Sequence, residues 1–384
     1  MSKIIAAVIC AAMLIAMVAG CDKDGVDPLT VPGSGPSSDG GDSPFSIYGV
    51  DFDAAFASLP PDTVMMKLGE YSVTWEEFFL YLFGNVNDIL YNFGYLPPWA
   101  EALYGDTTFA QAVLEFSVDN ARMYKAIMYG AAQAGISLNE GDYARMEQDY
   151  VDASESYGGE EAFLKLLWET NGCHSREIFE YLFSVGALAT LYFDATYGVD
   201  GELLSEEDLA ELTKVDGYLM AKHILRLLPE DTGESGEDAD EENETLAQMK
   251  LILEMLDSYD GDDFDAFFDE LMYKYTDDSL VYFPNGYLFQ YGDMVPSFYD
   301  ACSKLQIGTY SEIIESSYGY HIIYRLPIDY SQTPFAMFMQ GETTSLQRNV
   351  AMGLFDNALF NWMDALEVEY TDAYLNLDLA EVFR

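Results

Sequence analysis

Two histidines sit in apolar strand-like runs with alternating apolar residues on either side, His223 in Tyr218-Leu-Met-Ala-Lys-His-Ile-Leu-Arg-Leu-Leu228 and His321 in Tyr318-Gly-Tyr-His-Ile-Ile-Tyr324. With Ile224, Leu225, Ile322 and Ile323 beside them, that period of two predicts a pair of central strands packed on helices. Between the strands the period lengthens. Leu246, Met249, Leu251, Ile252, Met255 and Leu256 mark a helix over residues 244–258, and Phe264, Phe267, Phe268, Leu271 and Met272 mark another over 264–275. A Gly-rich stretch leads to the second strand, so residues 215–328 read as α+β.

Upstream, helical spacing dominates. Val64-Met-Met-Lys-Leu68 and Tyr71-Ser-Val73 predict a hairpin around Gly69-Glu70. Thr74-Trp-Glu-Glu77 reads as a capping box, hydroxyl and carboxylate each satisfying an orphan backbone donor, and the helix it starts turns Phe78, Phe79, Leu82 and Phe83 inward. Residues 106–135 predict a long amphipathic helix carrying Phe109, Val113, Phe116, Met123, Ile127 and Met128, stopped at Gly135. Further helices are predicted over 139–157, 160–170, 175–197 and 205–213, and again over 344–366 before Val368-Glu-Tyr370.

Six short motifs occur in order within 215–328: Ala221-Lys-His-Ile-Leu225, Gly261-Asp-Asp-Phe264, Tyr275-Thr-Asp-Asp-Ser279, Gly286-Tyr-Leu-Phe-Gln-Tyr-Gly-Asp-Met-Val-Pro-Ser-Phe298, Leu305-Gln-Ile-Gly308 with Ser311, and Tyr318-Gly-Tyr-His-Ile-Ile323. Together they resemble the parvulin family of peptidyl-prolyl isomerases. The resemblance implies a histidine pair inside the sheet, His223 and His321, beside an apolar proline pocket. It implies Asp278 as their partner, where relatives carry Cys or Asp, and a substrate seat of Met294 and Phe298 with Tyr287, Phe289 and Tyr318. It implies neither cofactor nor metal. The other reading of the histidines is that they bridge two strands in a satisfied core. Where relatives often have Gly-Asp-Leu-Gly, this chain has Pro284-Asn-Gly-Tyr-Leu288, which places Tyr287 in the rebuilt pocket wall.

The helical block, residues 62–214, resembles on less specific motifs the N-terminal segment of extracytoplasmic foldases of the PrsA and SurA kind. In such foldases the C-terminal helix packs back on the N-terminal helices. That implies an α+β protein: a mostly helical chaperone-like domain of residues 62–214 and 329–384, with a parvulin domain of 215–328, an antiparallel or mixed sheet flanked by helices, inserted in it.

Lys3, an apolar run over residues 4–18 and Val18-Ala-Gly-Cys21 have the layout of a secretory signal, with an apolar segment too short for a comfortable membrane span. The small residues before Cys21 resemble a bacterial lipoprotein signal, which implies removal of residues 1–20 and lipidation of Cys21 at the outer face of the membrane. An uncleaved signal anchor is the alternative. Residues 21–61 read as a flexible tether, because Gly, Ser, Pro and Asp fill the stretch to about Pro44.

Composition narrows the function further. With 67 acidic and 17 basic residues the formal charge is −50, which excludes nucleic acid as a partner and favours basic or cation-bearing ones. Nine carboxylates and no cation fill residues 230–244, where phosphate-directed parvulins place basic residues, so phosphoserine-proline substrates are repelled and the loop is expected to be disordered. Cys173 and Cys302 fall in different predicted domains and read as separate thiols rather than a bridge. His174 stands at a helix start, in a capping or exposed position. No Gly-x-Ser-x-Gly, His-Glu-x-x-His or Cys-x-x-Cys occurs, and residues 257–265 fail the EF-hand pattern because Ser258 and Leu256 occupy ligand offsets.

The expected function is a membrane-anchored extracytoplasmic foldase that isomerises X-Pro bonds in unfolded or partly folded exported polypeptides. A non-catalytic holdase whose parvulin domain only binds peptide shares every motif. A solute-binding lipoprotein would need paired α/β lobes, against which the helical run over residues 74–214 argues.

Overall fold

Order begins earlier than the tether expected over 21–61 allows. Ser46–Ile47 (β1) and Val50–Asp51 (β2) pair around Tyr48-Gly49, and the Asp51 side chain accepts from the Ala54 amide to start helix α1, Phe52–Phe56. Phe52 and Ala55 are fully buried, and Val50 and Phe56 nearly so. Five large apolar residues between 45 and 56 bury enough surface to offset chain ordering, which the Gly/Ser/Pro stretch before them cannot. The computed structural model describes residues 45–228, 237–279 and 283–384. The leader, Cys21 and the first part of the tether lie outside the described residues.

The chain divides into two units, one running to Thr196 and resuming over Phe355–Arg384, the other Tyr197–Leu354. In the first, Val64–Leu68 (β3) and Tyr71–Thr74 (β4) form the expected hairpin and lead into α2, Trp75–Phe93. Only half of the expected capping box forms. Thr74 Oγ1 accepts from the Glu77 amide at 3.4 Å, but the Glu77 carboxylate turns inward to Lys125 Nζ at 2.8 Å and also accepts from the Tyr81 hydroxyl. Lys125 stands over the Tyr181 ring at 4.2 Å, and both charged groups are about 5% exposed. Breaking so buried a pair on one side leaves a charge without compensation.

Ala102–Tyr104 (β5) and Thr107–Thr108 (β6) make a short hairpin where the next helix was expected to begin, so α3 spans Phe109–Gln133, with a reciprocal capping box between Thr108 and Gln111. Helices α4 (Glu140–Ser156), α5 (Glu160–Asn171) and α6 (Arg176–Tyr197) follow within a residue or so of their predicted bounds. Trp75, Phe52, Phe78, Phe79 and Phe83 are among the largest fully buried side chains of this unit's core.

The second unit holds α7 (Glu206–Leu212), β7 (Leu219–Leu227), α8 (Glu237–Asp257), α9 (Phe264–Tyr275), β8 (Tyr287–Phe289), α10 (Pro296–Lys304), β9 (Ile314–Glu315), β10 (Gly319–Leu326) and α11 (Phe335–Met339). Helix α8 starts at Glu237, inside the stretch expected to be disordered. The sheet order is β8-β7-β10-β9, antiparallel throughout, so the two histidine strands are central. Even-numbered residues Ile224, Ile322, Tyr320 and Tyr324 pack on α8 and α9, while Leu219, Ala221 and Ile323 face Tyr287, Phe289 and Phe298. Both faces are covered, which is why the alternation around the histidines reads as nearly continuous apolar sequence.

Two glycines let the strands close up. Gly286, at φ +98°, precedes β8 where a Cβ would lie 2.8 Å from the Ala221 carbonyl, and a Cβ on Gly319 would lie 2.0 Å from that of Arg226.

Finally α12 (Leu346–Ala365), β11 (Val368–Tyr370), α13 (Asp372–Leu375) and α14 (Leu379–Val382) complete the chain. Strand β11 pairs antiparallel with β3, giving the order β11-β3-β4, and Arg122 of α3 donates to the Met363 carbonyl at 2.9 Å. The division between the two units falls within α6 and α12, and Phe335, which follows the expected isomerase segment, lies against Tyr287. The architecture is α+β.

Candidate active site

Strand register brings the histidines together. His223 lies opposite Ile323 and His321 opposite Leu225, so the two are diagonal neighbours on one face of the sheet. Their Nδ1 atoms are 3.1 Å apart and the rings are nearly parallel, with centroids at 5.3 Å. On the other side of His223, Nε2 lies 2.8 Å from Asp278 Oδ2, which also accepts from the Tyr287 hydroxyl at 2.5 Å. Beyond His321, Nε2 lies 2.7 Å from Ser316 Oγ, and that oxygen accepts from the Tyr318 amide at 3.1 Å.

One pattern of protons satisfies the whole chain. An ionised carboxylate only accepts, so His223 donates from Nε2 and its Nδ1 carries the lone pair. His321 then donates from Nδ1, its Nε2 accepts, and the Ser316 hydroxyl donates to it. Every bond from Tyr318 to Asp278 thus points the same way. Burial holds His321 neutral, pushing its pKa down to about 4, with the neighbouring His223 adding to the effect. At Asp278 burial acts upward, but the hydrogen bonds from His223 and Tyr287 outweigh it and keep the carboxyl below its ordinary value. Burial and the Asp278 carboxylate raise Tyr287, so it stays a donor.

Against the imidazoles stands the Phe298 ring, edge-on to both at 5.2 and 5.5 Å. Met294 is half-buried on the same cluster, and the Tyr287 ring is T-shaped to His223 at 5.6 Å. His223, His321, Asp278, Tyr287, Phe298 and Met294 therefore share one site. Two other expected substrate contacts are placed differently. Phe289 is fully buried behind Phe298 at 5.6 Å, because α10 covers that end of β8, and it backs the wall instead of facing a substrate. Tyr318 is 62% exposed and, among the bonds described, reaches the set through its backbone amide.

Ser316 was missed. Its signal is a serine five residues before His321 with Gly319 between, a spacing that a tight turn into β10 folds back onto the imidazole.

Elsewhere, His174 stacks on Phe56 at 4.1 Å while Ser175 Oγ accepts from the Ile178 amide. Cys173 and Cys302 are buried free thiols, which burial raises to about 12 and about 11. Among the described residues no three His, Cys, Asp or Glu side chains are grouped to hold a metal ion. A cavity of about 700 Å³ in the first unit is lined by Pro98, Trp99, Gln111 and Asp378, none of them in the histidine set.

Residues 223–326 match the rotamase family, described as the PPIC-type PPIase domain. The foldase protein PrsA of Halalkalibacterium halodurans is 41% identical over 85 residues, 22% of this chain and 23% of that one. This chain thus matches about a quarter of that relative's length. Among solved structures, peptidylprolyl isomerase (PrsA) from Bacillus cereus aligns over 85% of this chain and all of that one, at 16% identity and a TM-score of 0.31. The Bacillus anthracis protein of the same name aligns over 65% of this chain and 96% of that one, at 20% identity and a TM-score of 0.25. The span with the histidine set is a parvulin-type isomerase domain.

Proposed function

From a PPIC-type domain at residues 223–326, we propose that the protein is an extracytoplasmic foldase that isomerises X-Pro bonds in exported polypeptides. The observation that carries this reading is the unbroken hydrogen-bond chain from Ser316 through His321 and His223 to Asp278, lying against Phe298 and Met294.

An X-Pro bond turns over a barrier of about 20 kcal/mol because amide resonance is lost in the twisted state. Seating the ring against Phe298 and Met294 supplies binding energy, and dipoles already fixed in direction favour the twisted amide without reorganising at the moment of rotation. No proton needs to move. His321 stays neutral and Asp278 stays ionised, so the pair tunes the local field.

In this reading residues 215–328 are the isomerase domain, and 62–214 with 329–384 hold unfolded segments. Support for the second role is the exposure of Tyr91, Phe93, Tyr95, Leu103 and Tyr104 in the first unit. Val18-Ala-Gly-Cys21 supports a lipid anchor at Cys21, tested by whether Cys21→Ser releases the protein from membranes.

The deciding experiment is a proline-isomerisation assay on Xaa-Pro peptides with wild type, His223→Ala and Met294→Ala. Acceleration by wild type with loss in both variants is expected. A wild-type rate equal to the solvent rate, with peptide still bound, would establish the holdase instead.

A further inference from the structure

We propose that α11, beyond the C-terminal end of the matched span, builds an aromatic subsite beside the proline seat that takes a large apolar side chain flanking the substrate proline. This rests on the proposed isomerase site, whose wall it continues.

The connection runs through Tyr287, whose ring meets Phe335 of α11 at 5.7 Å and Phe283 at 4.5 Å. Phe283 in turn meets Phe335 at 5.5 Å and Phe338 at 5.0 Å. His223 also contacts Tyr287, at 5.6 Å, so the proline seat and this shelf have that ring in common. The shelf is not closed core. No residue of α11 is fully buried, Phe283, Phe335, Met337 and Phe338 each keep part of their surface in solvent, and Met339 is 65% exposed.

Its position is held from behind. The Leu346 and Gln347 amides donate to the carbonyls of Gln332 and Tyr330, Asn349 donates to Met337 Sδ, and Pro334 at the helix start is buried. A surface that presents aromatic faces while its backbone is fixed loses little entropy on binding.

Chemistry chooses the occupant. The side chains of the shelf, Phe283, Phe335, Met337 and Phe338, carry no charge with which to hold a phosphate or a carboxylate. Phenylalanine and methionine side chains offer ring edges, ring faces and polarisable sulfur, which suit an aromatic or long aliphatic side chain. Neighbouring Cα atoms in a peptide are about 3.8 Å apart, and Tyr287 joins the histidine set to Phe335, so the proposed occupant is the side chain one residue from the seated proline.

The test uses the full chain and peptides with Phe, Leu, Ala or Lys on either side of one proline. Both kcat/KM for isomerisation and Kd by anisotropy of labelled peptide are measured. Phe and Leu should exceed Ala by roughly tenfold at one flanking position, and Phe338→Ala should cut that ratio by at least about threefold, with Phe338→Leu restoring part of it. Met339→Gln, at an exposed position, should lower the ratio in the same direction without a folding defect. If no peptide is isomerised, the proposed activity fails while the Kd ratio still decides the subsite. A Phe-to-Ala ratio near one in wild type, or one unaltered in folded Phe338→Ala and Met339→Gln, overturns the subsite.

Discussion

His223 and His321 face each other through like atoms, Nδ1 to Nδ1 at 3.1 Å, so one must donate where the other accepts. Two charged imidazoles would both donate, and the bond would be lost. A pH dependence follows. His321 titrates near 6.5 in an unfolded chain and at about 4 in the fold, held down by burial and then by His223. Between those values the unfolded state binds the proton and the folded state does not. The contribution is therefore fully present above roughly pH 6.5 and is lost as pH falls toward 4, by on the order of 3 kcal/mol. NMR titration of the His321 ring checks it, and a midpoint near 6.5 would contradict the arrangement.

Asp278 anchors the acceptor end of the chain. Tyr287→Phe removes one donor to an ionised oxygen, and a fall of up to about tenfold in kcat is expected with KM little changed. Asp278→Ala strands the His223 donor and should cost more than that. Equal rises in KM from both, with kcat intact, would mean that the carboxylate only shapes the pocket.

Ser316 orders the other end. In Ser316→Ala the Nε2 lone pair of His321 loses its donor, and the imidazole is free to carry its proton there. Isomerisation should fall severalfold, and the His321 Nε2 resonance in nitrogen NMR should move toward the protonated position. An unchanged nitrogen spectrum would show that the tautomer is held by His223 alone.

In the first unit, Lys125→Met should destabilise by about 3–5 kcal/mol because it leaves the Glu77 carboxylate buried without its cation. Adding Glu77→Leu should recover much of the loss. Trp75, Trp99, Trp168 and Trp362 all belong to this unit, so tryptophan fluorescence during denaturant unfolding reports on it directly. Additive losses in the double variant would show that the two charges do not compensate each other.

What could be read without coordinates follows from range. Both histidine strands were legible because the period of two and the six ordered motifs act over a few residues each. Glu77 was not, since a capping pattern lost to Lys125, 48 residues away, and no local rule weighs a buried cation. Phe289 shares its sheet face with Tyr287, and only the helix laid over that end decides that one is fully buried while the other reaches Asp278. Phe45 to Phe56 was averaged away by the polar stretch before it, although each Phe there packs on the core.

Strand β3 is the middle strand of its sheet, and the neighbour on one side is supplied by Val368–Tyr370, some 300 residues later in the chain, where Thr371 also donates to the Val64 carbonyl. During synthesis from the N-terminus, all of Tyr197–Leu354 leaves the ribosome before that neighbour exists. The isomerase-like unit can therefore mature first, while the helical unit waits with the edge of β3 open to any passing strand. Closing a loop of that length costs little more than closing one half as long, so the delay is one of timing and leaves the final stability nearly untouched.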